Sequence, residues 1–415
     1  RSSAHFRTIS DPASRTYMEA FPDHRAVRLT ELEWFLQTSD CFRPEVTGAP
    51  YDGCGAEALM YKLKTNSLMH SDAFRNKHSV VIFPIWGMPA WLNGGKGLQY
   101  PPSDYDLWRN VAREIAAFYG QFEGPDFYFE IWNEPDFEIF WMGNTDEYLE
   151  FYAETARAMK AANPSAQVGG PAVNQWYARI DADRDPLAFE LIRKAAAEGL
   201  PLDFLSWHSY FSDPAFFKQA KDAYSQAVTY YRLPQMPRFV VSEWNMSGVQ
   251  TRTSEWAPLI MAEGYLGITR AGIDIQTVYS WVDDHPLDYP DQTYYGLLTQ
   301  EGTPRPVFYI HQFFDSLSRD SQGIAIVEAG GAKVLISKAA ADGNRYKIMF
   351  WKPVTQGDWS APKEYRITFA DRGLVMVQGA YSVSDGLHTK QVSVSGNAIS
   401  FSLAGNEVLG VEVSF

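Results

Sequence analysis

Between residues 5 and 318 the chain alternates two textures, and that alternation limits its fold more than any other feature. Short runs of apolar, β-branched and aromatic residues recur: HFRTI (5–9), AVRLTE (26–31), SVVIFPIW (79–86), FYFEIW (127–132), QVGGPAV (167–173), FLSWHSY (204–210), RFVVSEW (238–244) and DIQTVYSW (274–281). Helical segments separate several of them. In NTDEYLEFYAETARAMKAA, Asn144 can cap the helix, Glu147 stands at its third position, and Leu149, Tyr152, Ala153, Ala156 and Met159 share a face. Asn163-Pro164 then stops it. DYDLWRNVAREIAAFYG and DPLAFELIRKAAAEGL read the same way, whereas 36–78 reads as a long loop before a helix. Strands alternating with helices make parallel sheets with the helices outside, so eight such strands predict an α/β fold, the (β/α)8 barrel. A doubly wound open sheet is the rival, but nothing resembles a Gly-rich phosphate loop.

After residue 320 the texture changes to short alternating runs such as RYKIMFWK, EYRITFA, AISFSLAG and VLGVEVSF, separated by Gly, Asp and Asn. These predict a β-sandwich, so a barrel over 1–318 is followed by an accessory domain over 319–415. The net charge of −14 argues against nucleic acid or an anionic membrane as partner. No apolar run approaches the roughly 18 residues that cross a bilayer. No signal peptide is visible at Arg1, which has the look of a processed or trimmed end. Cys41 and Cys54 can form a single bridge or stay free. No Cys/His cluster has metal-ligand spacing, so neither metal nor cofactor is expected.

In such a barrel, chemistry collects at the carboxyl ends of the strands. Glu134, in EIWNEPDFEIFW (130–141), ends the fourth run, and Glu243 ends the seventh. Two carboxylates facing each other there can flank a glycosidic bond. Roughly 5–5.5 Å apart they serve retention of configuration, and roughly 6.5–9.5 Å apart they admit a water and invert. Aromatic neighbours penalise charge on Glu134, so its carboxyl is expected to be raised and neutral, as leaving-group protonation requires. Asn133 offers an amide to a sugar hydroxyl, and Pro135 ends the strand ladder.

Trp132-Asn133-Glu134-Pro135 resembles the acid/base motif of the retaining glycoside hydrolases of clan A. The following Asp136, the stretch Ser242-Glu243-Trp244-Asn245 and the barrel-plus-sandwich order are most similar to glycoside hydrolase family 39, which includes β-xylosidases and exopolysaccharide hydrolases. The resemblance implies that Glu134 is the acid/base, Glu243 the nucleophile and Asn133 a contact to the hydroxyl beside the anomeric carbon. Thr30-Glu31-Leu32 stands where the family's xylosidases carry His-Gly, a departure that weighs against a xylosidase.

Around this pair, Tyr210 can hold the nucleophile ionised and His208 can orient Tyr210 or a sugar hydroxyl. Trp281 can stack under a sugar ring or fill the core. Trp86, Trp91 and Asn93 follow the third run in a Gly/Pro loop suited to subsites, and Phe140 and Trp141 follow the fourth. Asn174, Gln175 and Trp176 can meet hydroxyls, while Asn245 can serve its own loop. Arg28 either supports the nucleophile or pairs with Glu31 or Glu33. Uncharged and aromatic groups around two acids suit a neutral, β-linked oligosaccharide or polysaccharide. The loop aromatics favour an endo-acting enzyme on a polymer over an exo-acting β-xylosidase; a non-catalytic carbohydrate-binding barrel is the alternative of another class. A polysaccharide substrate would place the protein outside the cytoplasm, secreted or periplasmic.

Overall fold

The computed structural model describes residues 26–39, 54–283, 293–319, 321–339, 344–353, 362–370 and 373–415. Seven parallel strands form one sheet in chain order: β1 (Ala26–Arg28), β2 (Val80–Ile85), β3 (Asp126–Ile131), β4 (Gln167–Val173), β5 (Phe204–Phe211), β6 (Arg238–Met246) and β7 (Ile275–Val278). β7 returns beside β1, so the sheet is a nearly closed barrel. These seven are the second to eighth expected strands; HFRTI lies outside the described residues. Helices between strands include α1 (Glu31–Thr38), α2 (Ala56–Asn66), α3 (Tyr105–Tyr119), α4 (Thr145–Ala162), α5 (Leu187–Glu198), α6 (Ala215–Tyr231) and α7 (Ala257–Ala271). α4 starts with the expected capping box: Glu147 N–H donates to Asn144 Oδ1, and the Glu147 carboxylate accepts from Asn144 N–H. The expected long loop over 36–78 is instead partly helical. α2 buries Ala58, Leu59, Lys62 and Leu63 along one side, and its two buried-side lysine and leucine turns are diluted by polar residues that hid the period.

Side-chain alternation builds the barrel interior in layers. Near the amino ends, Val80, Ile82, Tyr128, Phe204, Val240 and Ile275 pack together with Ala26 against them. Two residues further along β1, β3, β5 and β6 come Arg28, Glu130, Ser206 and Ser242, all buried. Two more along β5 bring His208, and then Tyr210. The strand period of two therefore converts an apolar floor into a polar upper storey.

By internal contacts the molecule divides into two compact units: Arg1–Tyr210, Phe216–Trp244 and Ile273–Ser280 form the first, and Phe211–Ala215, Asn245–Gly272 and Trp281–Phe415 form the second. The second contains α7, α8 (Pro306–Arg319) and two antiparallel sheets, ordered β13-β12-β16-β10-β9-β8 and β11-β15-β14. Those strands are β8 (Ser321–Ala329), β9 (Ala332–Ala339), β10 (Arg345–Trp351), β11 (Lys363–Thr368), β12 (Met376–Ser382), β13 (His388–Thr389), β14 (Ser393–Ser395), β15 (Ala398–Leu403) and β16 (Val408–Ser414). Ile348, Phe350, Val411, Ile399 and Phe401 from both sheets share one apolar cluster, as a sandwich requires. Within this unit Glu263 of α7 accepts from Trp351 Nε1 at 2.6 Å and Lys333 Nζ at 2.5 Å, which ties that helix to β9 and β10.

Candidate active site

Glu134 stands just past β3 and Glu243 within β6, and an oxygen of each lies within 4.8 Å of the other. Both are buried, at 8% and 5% exposure, so neither is an ordinary surface acid. A register shift in β6 between Val241 and Trp244 turns Glu243 toward the first strand, where a regular alternation would not leave it. At the other acid the backbone is unusual: Trp132 (φ 75°), Glu134 (φ 43°) and, in β4, Ala172 (φ 54°) all adopt left-handed values. Glu134 N–H donates to Ala172 O at 3.0 Å, which locks the two irregular strand ends together.

Arg28 organises the surroundings of Glu243. Its guanidinium donates from Nε to Glu130 at 2.5 Å, from Nη1 to Glu243 Oε1 at 2.6 Å and from Nη2 to Asn133 Oδ1 at 2.8 Å. The expected alternative pairing with Glu31 or Glu33 is not made by Glu31, which instead accepts from Ser67, Leu68 N–H and Tyr119. Tyr210 donates to Glu243 Oε2 at 2.7 Å. A cation and a hydroxyl thus stabilise the Glu243 carboxylate on both oxygens. Arg28 thus occupies the Asn133 carbonyl oxygen and orients its amide.

On the acid side, His208 Nδ1 lies 2.7 Å from Glu134 Oε1 and Asn174 Nδ2 donates to the same oxygen at 3.0 Å. His208 therefore orients Glu134, where the sequence had suggested Tyr210 or a sugar. Burial pushes the Glu134 carboxyl up, but His208, Asn174 and Arg28 outweigh it and hold it below the usual glutamate range. This reverses the expectation of a neutral resting acid, which rested on desolvation alone and missed donors arriving from other strands. Burial also lowers His208, so its ring is neutral and its Nδ1–H faces the carboxylate. Both of these contacts fall on Oε1.

Two neighbours were not singled out from sequence as site residues. Glu130 is fully buried; burial raises its carboxyl, but Arg28, His208, Ser242 and Ser206 bring it below the ordinary value. Its signal was available, since FYFEIW and AVRLTE each place a charge inside an apolar strand, and buried opposite charges seek each other. Asp136 accepts the Asn174 N–H on both oxygens, at 3.0 and 3.3 Å, and so fixes the residue that donates to Glu134. Burial, together with the charge of Glu134, raises the Asp136 carboxyl to about 7. An acid raised in the fold binds its proton more tightly there than when unfolded. Asp136 therefore costs nothing below the unfolded value near 4 and progressively destabilises the protein as pH rises through about 7. Asp136→Asn, which keeps an acceptor for Asn174, should match the parent in urea unfolding at pH 4 and exceed it by about 4 kcal/mol at pH 8. A gap that does not widen with pH would rule this out.

The aromatic candidates separate. Trp86 is half-buried, edge-on to Trp132 and to Phe140, with ring centres 6.4 and 5.1 Å away. Trp91 is half-buried and donates to Ser39 Oγ at 3.1 Å. Trp141 is only 2% exposed and packs edge-on to Trp132 at 4.8 Å, so it fills the core under the loop and does not line an open groove. Trp281 is fully buried in the second unit, 5.7 Å from Phe308. Asn93 donates to Gly97 O at 2.6 Å and Asn245 to Tyr295 O at 3.1 Å, so both serve loop backbone. Asp283 accepts from Gly296 N–H, and residues 284 and 285 lie outside the described set. Cys54 is disulfide-bonded; Cys41 lies outside the described residues. Among the described residues, Glu134, His208 and Glu243 form a group whose donor atoms could hold a metal ion. Three different strands supply them, so no local spacing could reveal the group, and the guanidinium on Glu243 works against a further cation there.

The model of the glycosyl hydrolases family 39 matches residues 92–239, a segment that contains Glu134 and ends just before Glu243. A β-xylosidase of Geobacillus stearothermophilus is 27% identical over 250 residues, 54% of this chain and 48% of that protein. A β-xylosidase of Caldicellulosiruptor saccharolyticus is 34% identical over 128 residues, 29% of this chain and 24% of that protein. The chain thus spans about half the length of the first relative and a quarter of the second. Among solved structures, a glucosidase from Croceicoccus marinus superposes with a TM-score of 0.69 at 17% identity, covering 97% of this chain and 91% of that one. A family 39 β-xylosidase from Caulobacter crescentus gives 0.67 at 16% identity, covering 98% and 93%. The segment that carries Glu134 is thus similar to glycosyl hydrolases family 39, and the barrel-and-sandwich fold is shared with solved glycosidase structures over nearly the whole chain.

Proposed function

We propose that the protein hydrolyses β-linked neutral glycosides with net retention, Glu243 acting as nucleophile and Glu134 as acid/base. The separation of the two carboxylates carries this reading: with oxygens within 4.8 Å, they suit the shorter of the two spacings and leave no room for a water between Glu243 and the anomeric carbon. Glu243, kept ionised by Arg28 and Tyr210, attacks the anomeric carbon while Glu134 Oε2 protonates the departing oxygen. A covalent glycosyl–enzyme forms; Glu134, now a carboxylate, draws a proton from water, which attacks the same carbon and restores Glu243. No metal or other cofactor enters these steps.

For the mode of action we favour an exo-acting glycosidase of β-xylosidase type. Two of the curated relatives bear that name, and one of the loop aromatics that suggested a polymer groove, Trp141, is buried. A secreted or periplasmic location accords with a glycan substrate. A panel of 4-nitrophenyl glycosides (β-xyloside, β-glucoside, α-rhamnoside) and xylan should show one preferred β-glycoside and little polymer cleavage. Proton NMR of the first turnover should show the β-anomer appearing before mutarotation. Initial formation of the α-anomer from a β-glycoside would overturn the mechanism, and shorter xylan fragments as main products would restore endo action.

A further inference from the structure

The turn that follows the acid/base presents oily side chains to solvent. Phe137 is 43% exposed, Ile139 68% and Met142 49%, and across the neighbouring strand end Tyr177 is 56% exposed. Soluble proteins seldom gather such residues on one short turn without a use for them. The turn is not a loose flap. Phe137 N–H donates to Glu134 O, Trp141 N–H to Phe137 O and Met142 N–H to Gln99 O, at 2.9 to 3.0 Å. Trp132 Nε1 donates to Phe140 O at 2.9 Å, and the Asp136–Asn174 bonds tie the turn to the segment carrying Tyr177.

Position gives these residues their meaning. In double displacement the acid/base protonates the oxygen that leaves, so the leaving group departs on the acid's side of the scissile bond. The segment directly after Glu134 therefore borders the aglycone and not the sugar held over Glu243. Sugars are usually held by flat aromatic faces and by hydrogen bonds, whereas Ile139 and Met142, two of the more exposed side chains, are aliphatic and offer neither. We propose that Phe137, Ile139 and Met142, with Tyr177 on the segment bonded to their turn, form an aglycone site for apolar groups, so that the substrates are glycosides of hydrophobic alcohols or phenols in preference to the ends of sugar chains. This rests on the retaining-glycosidase reading above and names the substrate class for that site.

Alkyl glycosides test it cleanly, because methanol and octanol are leaving groups of nearly equal acidity and differ in apolar surface. With the preferred sugar fixed by the aryl panel, kcat/KM for the octyl β-glycoside should exceed that for the methyl β-glycoside by about 10-fold or more, chiefly through KM. It should also exceed that for the matching disaccharide. The double variant Phe137→Asn/Ile139→Asn should erase the octyl preference while methyl glycoside turnover stays within about twofold. Binding of octyl and methyl 1-thio-β-glycosides, measured by calorimetry, repeats the comparison without chemistry. If no glycoside is cleaved but octyl still binds tighter through these residues, the mechanism fails and the apolar site stands. Equal octyl and methyl values, a disaccharide preferred over both, or a variant that changes oligomeric state and leaves the octyl-to-methyl ratio intact would each overturn the proposal.

Discussion

Glu243→Gly should fold as the parent does and lose at least about 10⁴-fold in kcat on an activated aryl β-glycoside, a barrier increase of roughly 5.5 kcal/mol. Added azide should restore turnover and release the α-glycosyl azide, because the anion enters from the face the carboxylate has vacated. Glu134→Ala should respond differently. With an activated aryl leaving group it should form the glycosyl–enzyme and stall, and azide should then give the β-glycosyl azide. The two anomers distinguish nucleophile from acid/base without relying on rate alone. Retained activity in Glu243→Gly without azide, or the same azide anomer from both variants, would dismantle the assignment.

Arg28→Met should be the most damaging substitution away from the two acids. Arg28 is 1% exposed and bonded to Glu130, Glu243 and Asn133 at once. Removing its charge leaves Glu130, which is fully buried, without its cation. Breaking one partner out of a buried pair typically costs about 3–5 kcal/mol. Activity should fall too, because Glu243 loses the group that favours its charged form. Adding Glu130→Gln should recover a good part of the stability and little of the activity, since the neutral amide no longer needs a cation while the nucleophile remains unsupported. If the single variant melts within a degree or two of the parent, the buried triad is not what holds this end of the barrel together. Lysine at this position should also fall short, because a single ammonium cannot reproduce three fixed donors.

Much of this arrangement was readable from residue order. The alternating apolar runs and helical segments specified the barrel, and the shift to short alternating strands specified the sandwich. Glu134 and Glu243 were visible because each closes a strand that is otherwise apolar. What stayed hidden was cross-strand geometry. His208 was expected to serve Tyr210 or a sugar hydroxyl, yet it bonds Glu134, because the two side chains come from different strand ends and only the barrel's curvature decides which neighbour each meets. Glu130 went unremarked for the same reason: its partner lies 102 residues away, and its carboxylate is informative only beside Arg28. The ionisation of Glu134 was misjudged because burial is suggested by neighbouring residues whereas hydrogen-bond donors are not. Trp141 was expected on a groove and is packed below the surface, since a loop aromatic can turn inward as easily as outward.

The left-handed backbone at Glu134 has a consequence for anyone who tries to improve this protein. Only glycine sits at φ 43° without penalty, so a glutamate there is held at a cost of the order of 1 kcal/mol. Glu134→Gly frees that strain but strips His208 and Asn174 of their acceptor, so the backbone cost shows against Glu134→Ala: the glycine variant should be the more stable of the two by about 1 kcal/mol. Strain and buried donors are coupled at this corner, so thermal hardening is best sought far from it.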